Sequence, residues 1–286
     1  MSIGGNMDLS IILAHYLPSS SHPCLDAVKR TVRTLEEQSL DLDVEIIVCD
    51  DGSLTEPEHP GRAPIEIKLD DGRTCYDFQG EDANRIARER LGLATNRIGH
   101  WLYLPRTKAV SSKARLWNLA TSLAQADRLI FFDDDNYLIK DKSLNIFNTL
   151  LGDYKLVFGQ IVDSNGRPRP YTSKRVQGST FGIHRKLLNK IGGFGIWTES
   201  VSSGIDSDIW FRLYQELKND LPFSAAFTAS IQSFDGCSKR WKPFVGSFFR
   251  HRVVRKEFHR VNGCKNYRSA THNPSRNKTL WIHDLS

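Results

Sequence analysis

The chain has 286 residues, of which 40% are hydrophobic and 25% charged, a composition that excludes a disordered or fibrous protein. No apolar run approaches the roughly 18 to 20 residues that a membrane-spanning helix requires, and residues 1–8 lack the basic-then-apolar order of a secretory signal. We therefore expect a cytoplasmic globular protein with one large hydrophobic core or two smaller ones.

The net charge of +6 is concentrated near the C-terminus. Residues 248–286 contain nine Lys or Arg against Glu257 and Asp284, a net charge of +7, which leaves residues 1–247 at −1. We therefore predict a main domain over residues 1–247 and a basic extension over residues 248–286. The extension could contact an anionic membrane surface or a phosphorylated substrate, or it could be a solvated basic face. We expect weak peripheral contact with the inner face of a membrane and do not expect nucleic-acid binding.

The cysteines indicate neither a disulfide framework nor a zinc site. They are odd in number, widely scattered and without a CxxC spacing. We therefore predict reduced, mostly buried thiols at all five positions, which are Cys24, Cys49, Cys75, Cys237 and Cys264.

The first fifty residues predict a strand, a helix and a second strand. Leu9–Ala14 and Val44–Cys49 are short apolar runs, typical of strands that are buried on both faces of a sheet. Between them, apolar residues recur at helical spacing and predict a helix from Leu25 to about Ser39. This order predicts a parallel pair of strands joined by a right-handed crossover.

The rest of the chain repeats this alternation after an irregular stretch. We interpret residues 62–100 as an insertion that contains one helix, Asp82–Leu93. Ser112 can cap a helix that precedes the strand Arg128–Phe132. The later predicted elements are strands at 156–158, 179–183 and 225–235, a short helix at 185–191, and a helix capped by Ser207 that reaches Leu217. Alternating strands and helices predict an α/β fold.

Acidic residues follow two of the predicted parallel strands, at the point where each strand ends. They are Asp50 with Asp51, and the triplet Asp133 to Asp135. In an open parallel sheet, ligands bind beyond these carboxyl ends. Side chains two residues apart point the same way in an extended segment, so Asp133 and Asp135 can together hold Mg²⁺ or Mn²⁺ against substrate phosphates. For the triplet alone, a solvated turn is the alternative.

Short motifs follow one another in a fixed order along the chain. They are Asp50-Asp51-Gly52-Ser53, Ser112-Lys113-Ala114-Arg115 with Asn118, Asp133-x-Asp135, Gln177-Gly178-Ser179-Thr180, Ile191-Gly192-Gly193-Phe194 and Gly204-Ile205-Asp206-Ser207-Asp208. In this order and spacing they resemble the family 2 type glycosyltransferases of the GT-A fold, over about Leu9 to Leu217. The resemblance implies a Rossmann-like, mostly parallel central sheet flanked by helices, with residues 1–247 as the catalytic domain.

The resemblance also implies a role for each matching residue. It implies nucleoside binding by Asp50 and Asp51, donor-phosphate contacts by Lys113 and Arg115, and a nucleotide and metal site at Asp133 and Asp135. It adds Tyr16, Asn118 and Asp134 to the substrate-binding residues. The implied cofactor is Mn²⁺ or Mg²⁺, which would neutralise charge on a diphosphate leaving group.

The segment Gly204-Ile205-Asp206 stands where the family has Gly-Glu-Asp, whose Asp is taken as the general base. The resemblance therefore implies that Asp206 is the base and Asp208 its substrate-binding neighbour. An acceptor hydroxyl is a poor nucleophile until a carboxylate takes its proton. From the residues alone, both carboxylates could instead cap the helix that follows. Trp197 lies in the preceding loop, where an acceptor should bind, although most large aromatic residues belong to the core.

Some positions depart from the family pattern. Ile205 replaces the Glu that the family has before its base, and the strand at 225–235 lacks the His that some members use as a further metal ligand. His251, His259 or His272 of the basic extension could replace that ligand.

We expect an inverting transfer of a sugar from a nucleotide-diphosphate sugar, most simply a uridine one, to a glycan or glycolipid in surface polysaccharide synthesis. A catalytically silent domain that binds nucleotide or glycan is the main alternative, because of the departures at Ile205 and in the strand at 225–235. A sugar-phosphate nucleotidyltransferase is a weaker one, since the loop that begins at His15 is not the Gly-rich, basic loop that holds a triphosphate.

Overall fold

The computed structural model describes residues 7–19, 22, 24–53, 63–106, 111–169, 176, 178, 180–235, 247–265, 267 and 281–286. The strands are β1 (Leu9–His15), β2 (Val44–Asp50), β3 (Ile65–Lys68), β4 (Thr74–Gln79), β5 (Ile98–Tyr103), β6 (Arg128–Asp133), β7 (Asn136–Leu138), β8 (Leu156–Val162), β9 (Thr180–His184), β10 (Ala225–Asp235) and β11 (His283–Asp284). The helices are α1 (Cys24–Glu37), α2 (Glu81–Leu91), α3 (Lys113–Leu123), α4 (Ser143–Asp153), α5 (Arg185–Lys190), α6 (Trp197–Val201), α7 (Ile205–Leu217) and α8 (Ser247–Asn262).

Within the described residues, the strands form one mixed sheet in the order β11-β10-β8-β9-β6-β1-β2-β5-β4-β3, and β7 pairs with β10. Its centre is parallel, because β1 runs parallel to both β2 and β6, and β2 runs parallel to β5. The predicted α/β fold and the predicted parallel pair are therefore confirmed.

The pairing register brings the acidic strand ends together. His15, the last residue of β1, lies opposite Asp50 of β2, and Ala14 lies opposite Asp133 of β6. Because these strands are parallel, their carboxyl ends meet at one edge of the sheet. The fold thus positions both acidic clusters around the end of β1.

Hydrophobic side chains cover both faces of the sheet. Ile12 belongs to one buried cluster and Ile11 to the other, since successive strand residues point to opposite faces. On the first face, the ring of Phe131 lies 4.9 Å from Trp117 and 5.1 Å from Phe181, measured between centroids. These aromatic contacts fix α3 against the strands that carry the site.

The segment at 62–100 is not an insertion separate from the sheet. It supplies β3, β4 and the start of β5, and β5 lies directly beside β2. The predicted helix is present as α2 and ends at Gly92, whose φ of 63° breaks the helix. The hydrophobic pattern of the sequence did not predict these strands, because β3 is mostly exposed and alternates Ile with charged residues, so no buried apolar run is present.

The structure corrects the predicted role of two serines as helix caps. Ser112 does precede α3, but its hydroxyl accepts a hydrogen bond from Arg73 (2.7 Å) instead of capping the helix. Ser207 lies within α7, which begins two residues earlier after Gly204, a glycine with φ of 92°. Sequence pattern does not distinguish a Ser at the cap from a Ser in the first turn, since both are followed by the same apolar spacing.

The cysteine prediction is wrong for Cys24. Cys24 takes part in a disulfide, whereas Cys49, Cys75 and Cys264 are free thiols, the first two buried. Cys237 lies outside the described residues. A disulfide depends on which positions the fold brings close together, and the spacing of scattered cysteines does not reveal this.

Part of the predicted basic extension packs into the body of the protein. β11 pairs with β10, and Trp281 is 3% exposed, with its ring 6.4 Å from Phe158 and 6.0 Å from Tyr214. The domain boundary at residue 247 stays a prediction. In the part of the chain that the structure describes, no helix combines the length and apolarity needed to cross a bilayer.

We expect Trp281→Ala to lower the free energy of unfolding by about 3 to 5 kcal/mol, because it removes a buried indole and leaves a cavity beside Phe158. Chemical denaturation measures this effect. Leu221→Ala is the control, since Leu221 is 81% exposed and its truncation should change stability by less than about 0.5 kcal/mol. Equal effects of the two substitutions would show that Trp281 is not part of the core.

Candidate functional site

The centre of the site is an ion pair between the end of β6 and the start of α3. Lys113 Nζ contacts Asp133 Oδ1 and lies 4.1 Å from the centroid of the Trp117 ring. Both side chains of the ion pair are partly exposed, at 23% for Lys113 and 30% for Asp133. A solvent-accessible cation therefore lies beside the first carboxylate of the triplet.

Asp135 lies close to two further carboxylates. Burial, and then the negative charges of Asp133 and Asp235, raise the pKa of Asp135 from 3.8 to about 7, while Lys113 lowers it. Asp235 is the last residue of β10, which pairs with β7 immediately after the triplet, and it forms an ion pair with Arg169. The three acids are therefore within electrostatic reach of one another.

This crowding of carboxylates is suited to a divalent cation. Among the described residues, no group of three or more His, Cys, Asp or Glu is arranged to hold a metal. Asp133 and Asp135 nevertheless fit the pattern in which Mg²⁺ or Mn²⁺ takes one or two protein carboxylates and completes its shell with phosphates and water. The raised pKa of Asp135 is consistent with this fit, because a bound cation would offset both the burial of its charge and the repulsion from Asp133 and Asp235.

Asp235 was not assigned a role from the sequence. The only signal was its position at the end of the strand at 225–235, where a metal-binding His was expected and not found. His251 and His259 are exposed on α8, and His272 lies outside the described residues. Of the residues considered for a further ligand, Asp235 is the one whose charge raises the pKa of Asp135.

Asp206, in the first turn of α7, belongs to the same site. Solvent reaches the residue, yet the surrounding protein raises the pKa of its carboxyl by desolvation, while Lys113 lowers it and Asp133 raises it. A Cβ atom on Gly178 would lie 2.3 Å from Asp206 Oδ1, so glycine is required for the carboxyl to take this position. The proposed base and the acidic triplet thus share Lys113 as their common cationic neighbour.

The neighbouring Asp50 and Asp51 have different environments. Asp50 is fully buried and accepts hydrogen bonds from the Ser53 backbone N–H (2.8 Å) and the Trp101 indole (3.3 Å), so it organises the turn after β2. Asp51 accepts a hydrogen bond from the backbone N–H of Ser112 (3.0 Å) and forms an ion pair with Arg106 (3.2 Å). Burial, although opposed by Arg106, raises the pKa of Asp51 to about 6.

A stacked Tyr–Arg pair borders Asp51. The guanidinium carbon of Arg106 lies 4.0 Å from the centroid of the Tyr16 ring. Gly52 allows this approach, because its φ is 72° and a Cβ there would lie 2.7 Å from the Arg106 backbone nitrogen. Sequence reasoning missed Arg106, which lies beyond the end of β5, a strand that the pattern did not predict.

Asp134 supports the loop that carries Tyr16. Its carboxylate is fully buried, lies 2.7 Å from His15 Nδ1 and accepts the Tyr16 backbone N–H (3.2 Å). Its backbone oxygen accepts the Thr31 hydroxyl (2.9 Å), which joins the triplet to α1. Asp134 therefore faces the interior and not the space between Asp133 and Asp135.

Arg115 and Asn118 of α3 contact other parts of the protein. Arg115 donates to Glu199 of α6 (3.2 Å) and contacts Asp70 in the β3–β4 turn. Asn118 exchanges two hydrogen bonds with the backbone of Phe194, at 2.7 and 2.8 Å. The structure thus brings Lys113 to the acidic triplet and directs these two side chains toward α6 and its preceding turn.

Trp197 and Asp208 form a buried contact beside the proposed base. The Trp197 indole donates to Asp208 Oδ1 (2.8 Å), and Arg212 donates to Asp208 Oδ2 (3.0 Å). Asn262 of α8 adds a third donor (3.3 Å), and Asp208 is 1% exposed. This carboxylate therefore holds α6, α7 and α8 together, while Asp206 remains open to solvent.

No protein-family model and no curated protein matches the chain in sequence. Solved structures do share its architecture. The mannosyltransferase PcManGT from Pyrobaculum calidifontis, in complex with GDP-Man and Mn²⁺, aligns with a TM-score of 0.52 and 13% identity over 97% of this chain and 68% of that one. TarS 1-349 from S. aureus, in complex with UDP-GlcNAc, aligns with a TM-score of 0.50 and 15% identity over 88% and 67%.

The chain thus spans about two thirds of the length of these structures. At such identities the likeness shows the fold, and the fold is GT-A-like. The predicted fold class is therefore confirmed, whereas membership of family 2 stays a prediction.

We expect Asp51→Asn to change how stability depends on pH. A carboxyl whose pKa is raised in the folded state stabilises the protein below its unfolded pKa, and this contribution is lost as the pH rises through the folded pKa. As the pH rises from about 4 to about 6, the free energy of unfolding of the wild type should therefore fall by up to about 3 kcal/mol relative to that of the variant. Denaturant titrations at several pH values measure this difference, and a constant difference would contradict it.

Proposed function

We propose that the chain is an inverting glycosyltransferase that transfers a sugar from a nucleotide-diphosphate sugar to a hydroxyl of a glycan or glycolipid. The observation that carries the proposal is that Lys113 contacts Asp133 of the acidic triplet and lies within electrostatic reach of Asp206. A site for an anionic, metal-bound donor and a separate carboxylate for the acceptor are thus side by side. The GT-A-like fold, which the chain shares with a mannosyltransferase solved with GDP-Man and Mn²⁺, supports the same reaction.

Donor binding is proposed at the carboxyl edge of the sheet. Lys113 supplies a cation for the diphosphate, beside Asp133. Asp51 and the Tyr16–Arg106 pair border the turn after β2, where a carboxylate can accept hydrogen bonds from a base or ribose and an aromatic ring can stack. We propose a uridine nucleotide, on the strength of the sequence resemblance.

The proposed cofactor is Mn²⁺ or Mg²⁺, held by Asp133 and Asp135. When bound, the metal supplies positive charge that stabilises the leaving diphosphate. Lys113 reaches the same carboxylate and contributes a second positive charge to that side of the site. Asp235 can add a further carboxylate once its ion pair with Arg169 opens.

Asp206 is proposed as the general base. Its carboxylate accepts the proton of the acceptor hydroxyl while the hydroxyl oxygen bonds to the anomeric carbon and the bond to the diphosphate oxygen breaks. Attack from the side opposite the diphosphate inverts that carbon. The raised pKa of Asp206 makes its carboxylate a stronger base than an ordinary Asp.

The wider role is proposed from the same resemblance. We propose that the acceptor belongs to surface polysaccharide synthesis and that the protein acts in the cytoplasm, at the inner face of the membrane. A silent domain that binds nucleotide without transfer is the alternative, because Ile205 replaces the Glu of the family motif. Nucleotide binding without any metal-dependent turnover of donor would support it.

We expect Asp206→Asn to keep donor binding and to lower the rate of transfer by about 100- to 10,000-fold, because the amide cannot accept the proton. In the wild type, kcat/KM should rise with pH as Asp206 loses its proton, above the pH range of an ordinary Asp. This rise of kcat/KM with pH should be absent in the variant. Transfer at the wild-type rate by Asp206→Asn would rule out this base.

We expect Asp135→Ala to lose metal-dependent turnover of the donor, by about 100-fold or more at fixed Mn²⁺, since half of the carboxylate pair is removed. Asp153→Ala is a matched control, because Asp153 is an exposed aspartate at the end of α4. Calorimetric titration with Mn²⁺ and nucleotide should show weaker metal binding in the first variant alone. Unchanged Mn²⁺ affinity would place the metal elsewhere.

A further inference from the structure

The outer face of α8 carries a row of cations. Arg252, Lys256 and Arg260 are four residues apart, so they lie on one side of the helix, and all three are exposed. Residues 251–262 contain four Lys or Arg against Glu257, a net charge of +3. The positive charge of the C-terminal part of the chain is thus displayed, in part, as a continuous stripe.

The inner face of the same helix is fixed to the protein. Phe258 is 1% exposed and packs edge-on against Trp197 (6.2 Å) and Phe211 (5.7 Å), and Asn262 donates to the buried Asp208. These contacts prevent the helix from rotating its cations inward. The stripe is therefore a constant feature of the folded surface.

An apolar side chain accompanies the cations. Val253 is 49% exposed and lies about 60° around the helix from Lys256. A soluble polyanion makes no favourable apolar contact with an exposed valine. The convex surface of a helix also has no groove in which a polyanion chain could bind. A bilayer surface offers both anionic headgroups and the apolar boundary below them, and clusters of four or more Lys or Arg on a helix are suited to such a surface.

We propose that the outer face of α8 docks on the surface of a bilayer that contains anionic lipids. The attachment is peripheral, since the apolar side of the helix is already used by the protein. The docked face lies about 10 Å, one helix diameter, from the contact between Trp197 and Asp208. One consequence rests on the proposed function: an acceptor that reaches Asp206 from this side is presented at the membrane surface.

Co-sedimentation of the full chain with vesicles tests the docking without any measurement of sugar transfer. The protein should bind phosphatidylcholine vesicles that contain phosphatidylglycerol, bind less at high salt, and not bind phosphatidylcholine alone. Arg252→Glu combined with Lys256→Glu should weaken binding about 30-fold or more, at about 1 kcal/mol per lost cation. Equal binding to both kinds of vesicle, or no binding, would overturn the proposal whether or not the chain transfers sugar.

Arg33→Glu combined with Lys186→Glu is the matched control. It makes the same change in net charge at exposed positions of α1 and α5, and it should leave vesicle binding unchanged. Val253→Ser should also weaken vesicle binding. Binding to duplex DNA or heparin as strong as that to vesicles, with no effect of Val253→Ser, would identify a soluble polyanion as the partner and overturn the membrane proposal.

Discussion

The candidate site depends on carboxylates that the fold brings together and partly withdraws from water. Asp133 contacts the ammonium group of Lys113, and Asp135 and Asp206 lie within its electrostatic reach. Burial first, and then the charge of Asp133, raise the pKa values of Asp135 and Asp206, although Lys113 lowers both. In the proposed reaction, the same carboxylates hold a divalent cation and, with the cation, a diphosphate.

The acidic residues of the region divide into two kinds by their surroundings. Asp50, Asp134 and Asp208 are buried, and each is hydrogen-bonded by a donor from another part of the fold: Trp101, Tyr16 and Trp197, respectively. A hydrogen bond to a charged group of this kind contributes about 1.5 to 3 kcal/mol, and the loss of its donors would leave a buried charge unpaired. These residues hold the turns that carry Tyr16, Asp51 and Asp206, so the two kinds are structurally coupled.

The C-terminal part of the chain connects this site to the outer surface. Asn262 of α8 reaches Asp208, and Phe258 packs on Trp197, so α8 stabilises the loop beside Asp206 while it exposes its cations on the other side. On the other side of α6, Glu199 pairs with Arg115 and Arg73 and ties that short helix to α3 and to the β3–β4 turn. The region around Trp197 and Asp206 is therefore assembled from segments that are distant in sequence.

The sequence by itself determined the elements with strong local periodicity and the acidic ends of β2 and β6, because buried strands and amphipathic helices leave a pattern within a few residues. It did not reveal β3 and β4, whose charged, partly exposed strands lack that pattern. It also did not distinguish Lys113 from Arg115, or Asp206 from Asp208, as groups that face the site. Only the tertiary structure decided these points, because burial, hydrogen-bond partners and the proximity of Asp235 depend on strands and helices brought together from across the chain.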